Sequence, residues 1–214
     1  MHGTSRPEYA PAASRPRGLT AKGRRTRQHI IDTAARLILE QGVAETTVEQ
    51  VRDAAEVSSS QIYHYFADKQ ALVLAVIDDD ADVIVGLQRP FFDGLDTIDG
   101  LRAWRDAMVG VQVDRGCRGG CPLGSLGVEL AETDERARLR VAAGFARWED
   151  GIRDGLRSMH AAGRLVADAD PDALAVALLV ALQGGLMLTQ VTRETRSLEI
   201  ALDAMLDLIA SKAA

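Results

Sequence analysis

From Lys22 onward, apolar side chains return every three or four positions and almost nowhere alternate. That period confines the chain to helices packed on helices. Aromatic residues make up only 4% of the composition, and alternating β-branched runs are absent, so no sheet is indicated. The expected fold class is all-α. A chain of 214 residues buries roughly 70% of its unfolded surface and needs no metal or disulfide staple. Two cysteines exclude a disulfide scaffold. The longest apolar run, Ala173 to Met187, is interrupted by Gln183 and two glycines and falls short of a bilayer span. With no secretory leader pattern at the N-terminus, a soluble, cytoplasmic protein without membrane contact is expected.

Punctuation residues divide the periodic stretch. A first helix is expected from Lys22 to Gln41, where Ile30, Ala34, Leu37 and Ile38 form one stripe and Gly42 supplies the stop. Thr46 or Thr47 then caps a short helix reaching Ala55, and Ser58 or Ser59 caps another ending near Tyr65. Asp68 caps a longer helix to about Gln88, which Arg89-Pro90 and Asp93-Gly94 break. Further helices are expected at 97–115, 122–131, 133–162, 171–193 and 196–211. Residues 1–20, with half of the six prolines, bury too little apolar surface to order themselves. The expected domains are a disordered leader (1–20), a helical head (21–67) and a larger body (68–214).

Two short helices joined by a three-to-four-residue turn describe a helix-turn-helix. Val48, Val51, Ala54 and Ala55 would pack the first helix, Val57 the turn, and Ile62 and Phe66 the second. Ser59, Ser60, Gln61, Tyr63, His64 and Tyr65 are then shared between core and solvent. Several are the short polar or aromatic donors that contact phosphates and base edges. Charge distribution agrees. The net charge is −6, yet residues 1–28 carry seven Arg or Lys against one acid, leaving −12 for the other 186. A basic end on an acidic body suits a chain of which one end meets a polyanion.

The stretch TTVEQVRDAAEVSSSQIYHYFADKQAL resembles the DNA-binding signature of the TetR family of bacterial transcriptional regulators. The likeness covers residues 24–75, and helix number and chain length also suit that family. It implies that Thr47 touches a phosphate at a helix N-terminus and that Ser58, Ser59, Ser60 and Gln61 reach base edges. Gln61 would pair bidentately with adenine. Tyr63 and His64 would contact the DNA backbone, Lys69 would neutralise a phosphate, and Lys22, Arg24 and Arg25 would extend toward the minor groove. The chain departs from the pattern at Glu56, where the turn usually has glycine, and at Ser60. A left-handed Glu56 would cost roughly 1–2 kcal/mol.

The resemblance also implies a homodimer, formed through the last two helices, on a pseudo-palindromic duplex. Leu174, Ala177, Leu178, Ala181 and Leu182 on one helix, and Leu198, Leu202, Met205, Leu206 and Ile209 on the other, form either intramolecular core or that paired face. Gly184-Gly185 suggests close helix approach or space for a ligand. An internal pocket for an unknown small-molecule effector would draw on Trp104, Met108, Cys117, Cys121, Phe145, Trp148 and Met187, with Gln183 orienting the ligand. Cys121-Pro122-Leu123-Gly124 resembles a segment of family members that sense electrophiles or oxidants. A helix N-terminus there would lower the Cys121 thiol pKa; the alternative is a buried structural thiol. The histidines His2, His29, His64 and His160 have no zinc spacing to the cysteines, and no cofactor is called for.

A dimeric repressor released by a ligand or by thiol modification is therefore the leading expectation. A ligand-independent architectural DNA binder or a heteromer subunit would explain the head but not the size of the body. A cysteine enzyme using Cys121 with His160 as a distant base would leave the polar second helix of the head unexplained.

Overall fold

The computed structural model describes residues 19–214, so the expected leader lies almost wholly outside the described residues. Within them nine helices follow one another: α1 (Ala21–Glu45), α2 (Val48–Ala54), α3 (Ser59–Tyr65), α4 (Lys69–Phe92), α5 (Ile98–Asp114), α6 (Pro122–Leu130), α7 (Glu135–Ala161), α8 (Pro171–Thr192) and α9 (Arg196–Ser211). Thr20, Thr47, Ser58, Asp68, Thr97, Asp134 and Asp170 each cap the helix that follows through a side-chain oxygen. Such caps occupy amides that have no partner within the helix, each contributing about 1 kcal/mol.

Two boundaries carry physical information. Gly42 takes a φ of 85° inside α1, so the helix breaks there, and Val43–Glu45 form a separate turn leading to α2. Only glycine adopts that backbone at no steric cost. The expected break at Arg89-Pro90 does not occur, and α4 runs on to Phe92. The carbonyl left without its partner by Pro90 belongs to the exposed Gly86, where water can serve it.

Helices α1 to α3 form the head. Ile30, Ile31, Ala34, Val51, Ala55, Ile62 and Phe66 bury its centre, continuous with Leu72, Val73 and Val76 of α4. In the body, α7 lies between α4, α6 and α8, while α9 packs on α8 and α5. At its centre the buried Trp104 and Trp148 both donate their indole N–H to Gln88 Oε1, at 2.9 and 2.8 Å.

The two apolar stripes on the last helices resolve as core. Leu174, Leu178, Leu182, Leu198, Leu202, Leu206 and Ile209 are buried within one chain, with Ala177, Ala181 and Met205 at its margin. Gly185 permits the close approach, since a Cβ there would lie 2.7 Å from Leu198 Cδ1 and 2.8 Å from its Cα. Gly184 faces open space. A different stripe is exposed: Val176, Val180, Met187, Leu188 and Val191 on α8, beside Ile200 and Leu208 on α9. Helix α8, at 22 residues, is long and apolar enough to cross a bilayer, contrary to the expectation drawn from its shorter apolar run. Its packing on α7 and α9 makes it a core helix of the body.

Candidate nucleic-acid interface and effector region

The second helix of the head is short, and its geometry comes from both ends. Ser58 accepts from the Gln61 amide at 3.2 Å while Gln61 Oε1 accepts from the Ser58 amide at 2.9 Å, a reciprocal capping box. Ile62 and the following Phe66 insert into the head core, and this turns Ser59, Ser60, Gln61, Tyr63 and His64 outward. Tyr65 is half-buried and stands edge-on to His64, with ring centroids 4.9 Å apart. The box uses the oxygen that bidentate pairing of Gln61 with adenine would need. That leaves Nε2 as the free end of the Gln61 side chain.

Helix α2 is anchored in the same manner. Thr47 Oγ1 accepts from the Gln50 amide at 3.2 Å and Gln50 Oε1 from the Thr47 amide at 2.8 Å. Lys69, at the start of α4, donates from Nζ to the Ala44 carbonyl at 3.1 Å. Thr47 and Lys69 thus border one small groove with Val48 and Val51. Lys22, Arg24 and Arg25 are exposed in the first turns of α1, where Arg24 also donates to the Leu19 carbonyl at 2.7 Å. Arg27, which periodicity did not single out, stacks its guanidinium 5.3 Å from the Phe66 ring centre. A cation followed at long range by an aromatic core residue is too common a pattern to be noticed in sequence.

Glu56 takes a φ of 52°, the left-handed backbone its position in the turn demands. With the exposed Glu49 it gives the outer side of α2 an acidic rim. Asp53 is paired with Arg52 at 2.6 Å, and Arg52 also donates to Ser59 Oγ of α3 at 3.4 Å.

The expected effector residues are not gathered around one open cavity. Trp104 and Trp148 are buried with both indoles satisfied, and Phe145 and Met108 are half-buried against the core. Met187 is 59% exposed and points out with the α8 stripe, so it does not line an interior pocket of one chain. Gln183 is half-buried, and its Nε2, shielded from solvent, forms no well-aligned hydrogen bond, a weak interaction of the side chain with the Cys121 thiol aside. Its Oε1 and the Cys121 Sγ flank Gly124, lying 3.4 and 3.6 Å from where a Cβ would stand. Cys117 is buried with a φ of 57° and borders an open cleft of about 430 Å³, together with Val113, Arg193, Thr195, Arg196 and Glu199.

The expected activation of Cys121 is reversed. The residue does sit at the N-terminus of α6, its Sγ accepting from the Gly124 amide at 3.3 Å. Burial nevertheless outweighs that bond and pushes the thiol up, and the nearby Asp80 carboxylate adds to the rise. Desolvation of a thiolate costs more than one helix terminus returns. Asp80 itself is pushed up to about 6, by burial first and by Asp79 second.

An exposed polar helix held on a three-helix head, with a large helical body behind it, defines a helix-turn-helix DNA-binding regulator. Residues 30–76 match the family described as "Bacterial regulatory proteins, tetR family", and residues 97–205 match "Tetracyclin repressor-like, C-terminal domain". The chain belongs to the TetR family of bacterial transcriptional regulators. It is 30% identical over 179 residues to the transcriptional regulator AcuR of Cereibacter sphaeroides, covering 83% of this chain and 81% of that one. It is 23% identical over 175 residues to the transcriptional repressor DhaR of a Mycobacterium species, covering 81% and 86%. The crystal structure of a regulatory protein TetR from Rhodobacter sphaeroides superposes with a TM-score of 0.73 at 25% identity, over 88% of this chain and 99% of that one.

Proposed function

We propose that the protein is a homodimeric repressor that binds a pseudo-palindromic duplex in the bacterial cytoplasm and is released by a small-molecule effector. The observation that supports this best is the outward, solvent-exposed face of α3, fixed from behind by Ile62 and Phe66, on which Ser59 and Ser60 make only local hydrogen bonds to Arg52 and Ser58. In this proposal Ser59, Ser60 and Gln61 Nε2 meet base edges in the major groove. Ser58 caps their helix, and Tyr63, His64, Thr47 and Lys69 hold phosphates. Lys22, Arg24 and Arg25 add sequence-independent attraction.

The second copy would pair through the exposed stripe of α8 and α9 rather than through the stripes that proved to be core. Val191 at 75%, Val180 at 64% and Met187 at 59% exposure are costly to leave in water. A two-fold axis there presents two α3 helices to half-sites one helical turn apart. An effector that binds the two arrangements of the dimer unequally would tilt α4 and spoil that spacing. A raised thiol at Cys121 favours a bound ligand over direct oxidation as the release signal.

Selection of duplexes from a random library with the full chain, followed by titration across a salt series, tests this. A pseudo-palindromic site bound by one dimer is expected. Lys69→Ala should weaken binding uniformly and lower the salt slope by about one per half-site. Gln61→Ala should cost about 1 kcal/mol per half-site and relax base preference at one position. Enrichment of no duplex would overturn the proposal.

A further inference from the structure

Head and body are joined by α4, but a second connection bypasses it. The carboxylate of Glu129, in the last turn of α6, accepts a hydrogen bond from the Ala44 amide at 3.0 Å. It lies against Gly42, with Oε1 3.4 Å and Oε2 3.6 Å from where a Cβ would stand. The break at Gly42 creates this seat. It interrupts the helix just before Ala44 and presents that amide to another element. The other end of the Ala44 residue is held as well, since its carbonyl accepts from Lys69 Nζ. Three residues further on, Thr47 caps α2 and borders the same groove as Lys69.

From these contacts we infer that Glu129 is a positioning residue, coupling α6 directly to the entrance of the helix-turn-helix through the Ala44 amide. Helix α6 is only nine residues long and is buried on one side through Leu123, Leu126 and Leu130. It therefore moves as one piece. Its N-terminus holds Cys121 and Gly124 beside the Gln183 side chain, whose Oε1 lies 3.4 Å from where a Gly124 Cβ would stand and whose Nε2 has no well-aligned partner. Its C-terminus holds Glu129. A shift imposed at the first end withdraws the carboxylate from Ala44 at the second. The Val43–Glu45 turn, with Thr47 and Lys69, then loses its reference to the body. The role rests on the regulatory function proposed above, with this contact belonging to the DNA-competent arrangement.

The test needs no effector. A side chain at Gly127 would press on Val141 of α7, since even a Cβ there would come within 3.1 Å of Val141 Cγ1. Gly127→Val therefore wedges α6 away from α7, with Gly127→Ala as the milder form should valine prevent folding. Affinity for the selected duplex is measured for each, in the wild-type and Glu129→Ala backgrounds. Displacing α6 should weaken binding about three- to tenfold in the first background and leave it nearly unchanged in the second. Glu129→Gln, which keeps an acceptor oxygen, should restore most of the coupling. Deuterium exchange of the 43–47 segment should rise in Glu129→Ala and stay low in Glu129→Gln. Equal losses in the two backgrounds, no loss in either, or unchanged exchange would each overturn the coupling role. Failure to select any duplex would overturn the functional proposal instead, and the exchange comparison would still decide whether Glu129 holds the Ala44 segment.

Discussion

Head and body solve the burial of polar groups in opposite ways. In the head, the polar side chains that matter are exposed, and those near the backbone are engaged in local caps three residues away. In the body, polar groups are inside. Gln88 is buried and accepts from two indoles, whereas Gln112 Oε1, Gln183 Nε2 and Thr189 Oγ1 are shielded without a well-aligned partner. An unpartnered buried polar atom costs about 1–3 kcal/mol. The head is thus a finished surface, while the body retains energy that a ligand or a rearrangement can release.

The sharpest way to break this contrast is at Gln88. Gln88→Leu would strand two buried indole N–H groups, and a loss of about 3–5 kcal/mol in global stability is expected from urea unfolding. A loss below 1 kcal/mol would mean that the body tolerates unpaired donors as easily as the head tolerates exposed ones.

The next effect is pH-dependent and also belongs to the body. Burial holds the Asp80 carboxyl at about 6 in the folded chain, against 3.8 for an exposed one. The folded state therefore binds the proton more tightly than the unfolded state. Its contribution to stability is complete below pH 4 and is lost as pH rises through about 6. The loss should reach about 2–3 kcal/mol by pH 7.5. Asp80→Asn should flatten unfolding free energy against pH over that window; an unchanged slope would show that Asp80 is hydrated.

The smallest effect sharpens the picture of the head. Glu56→Gly should relieve the left-handed backbone and stabilise the head by about 0.5–1 kcal/mol. Removing the charge from the rim of α2 should also strengthen DNA binding modestly at low salt and less at high salt. Thermal unfolding and duplex titration report the two parts separately.

Helix order was legible in the sequence, with most ends within two residues, because capping boxes, glycine stops and the three-to-four spacing are local. Helix α4 is the exception, running four residues past its expected end. The face of α3 was legible for the same reason, with Ile62 and Phe66 marking its inner side. Three features of the body were not. Gln88 looked like a helix end, because the two tryptophans it joins lie 16 and 60 positions away. Cys121 sits where a helix terminus should activate it, but sequence does not report the desolvation that outweighs that effect. Glu129 carried no motif, since its partner is a backbone amide 85 positions earlier.

Helix α8 draws the final division. Composition and period alone establish that it is a helix and that both Leu174-Leu178-Leu182 and Val176-Val180-Met187 are apolar rows along it. Backbone hydrogen bonds and caps span at most four residues, so neighbours in sequence suffice to specify them. Which row is inside depends on α7 and α9, and on how closely Gly185 lets Leu198 approach. That choice is set by packing complementarity between distant segments, and no local pattern contains it.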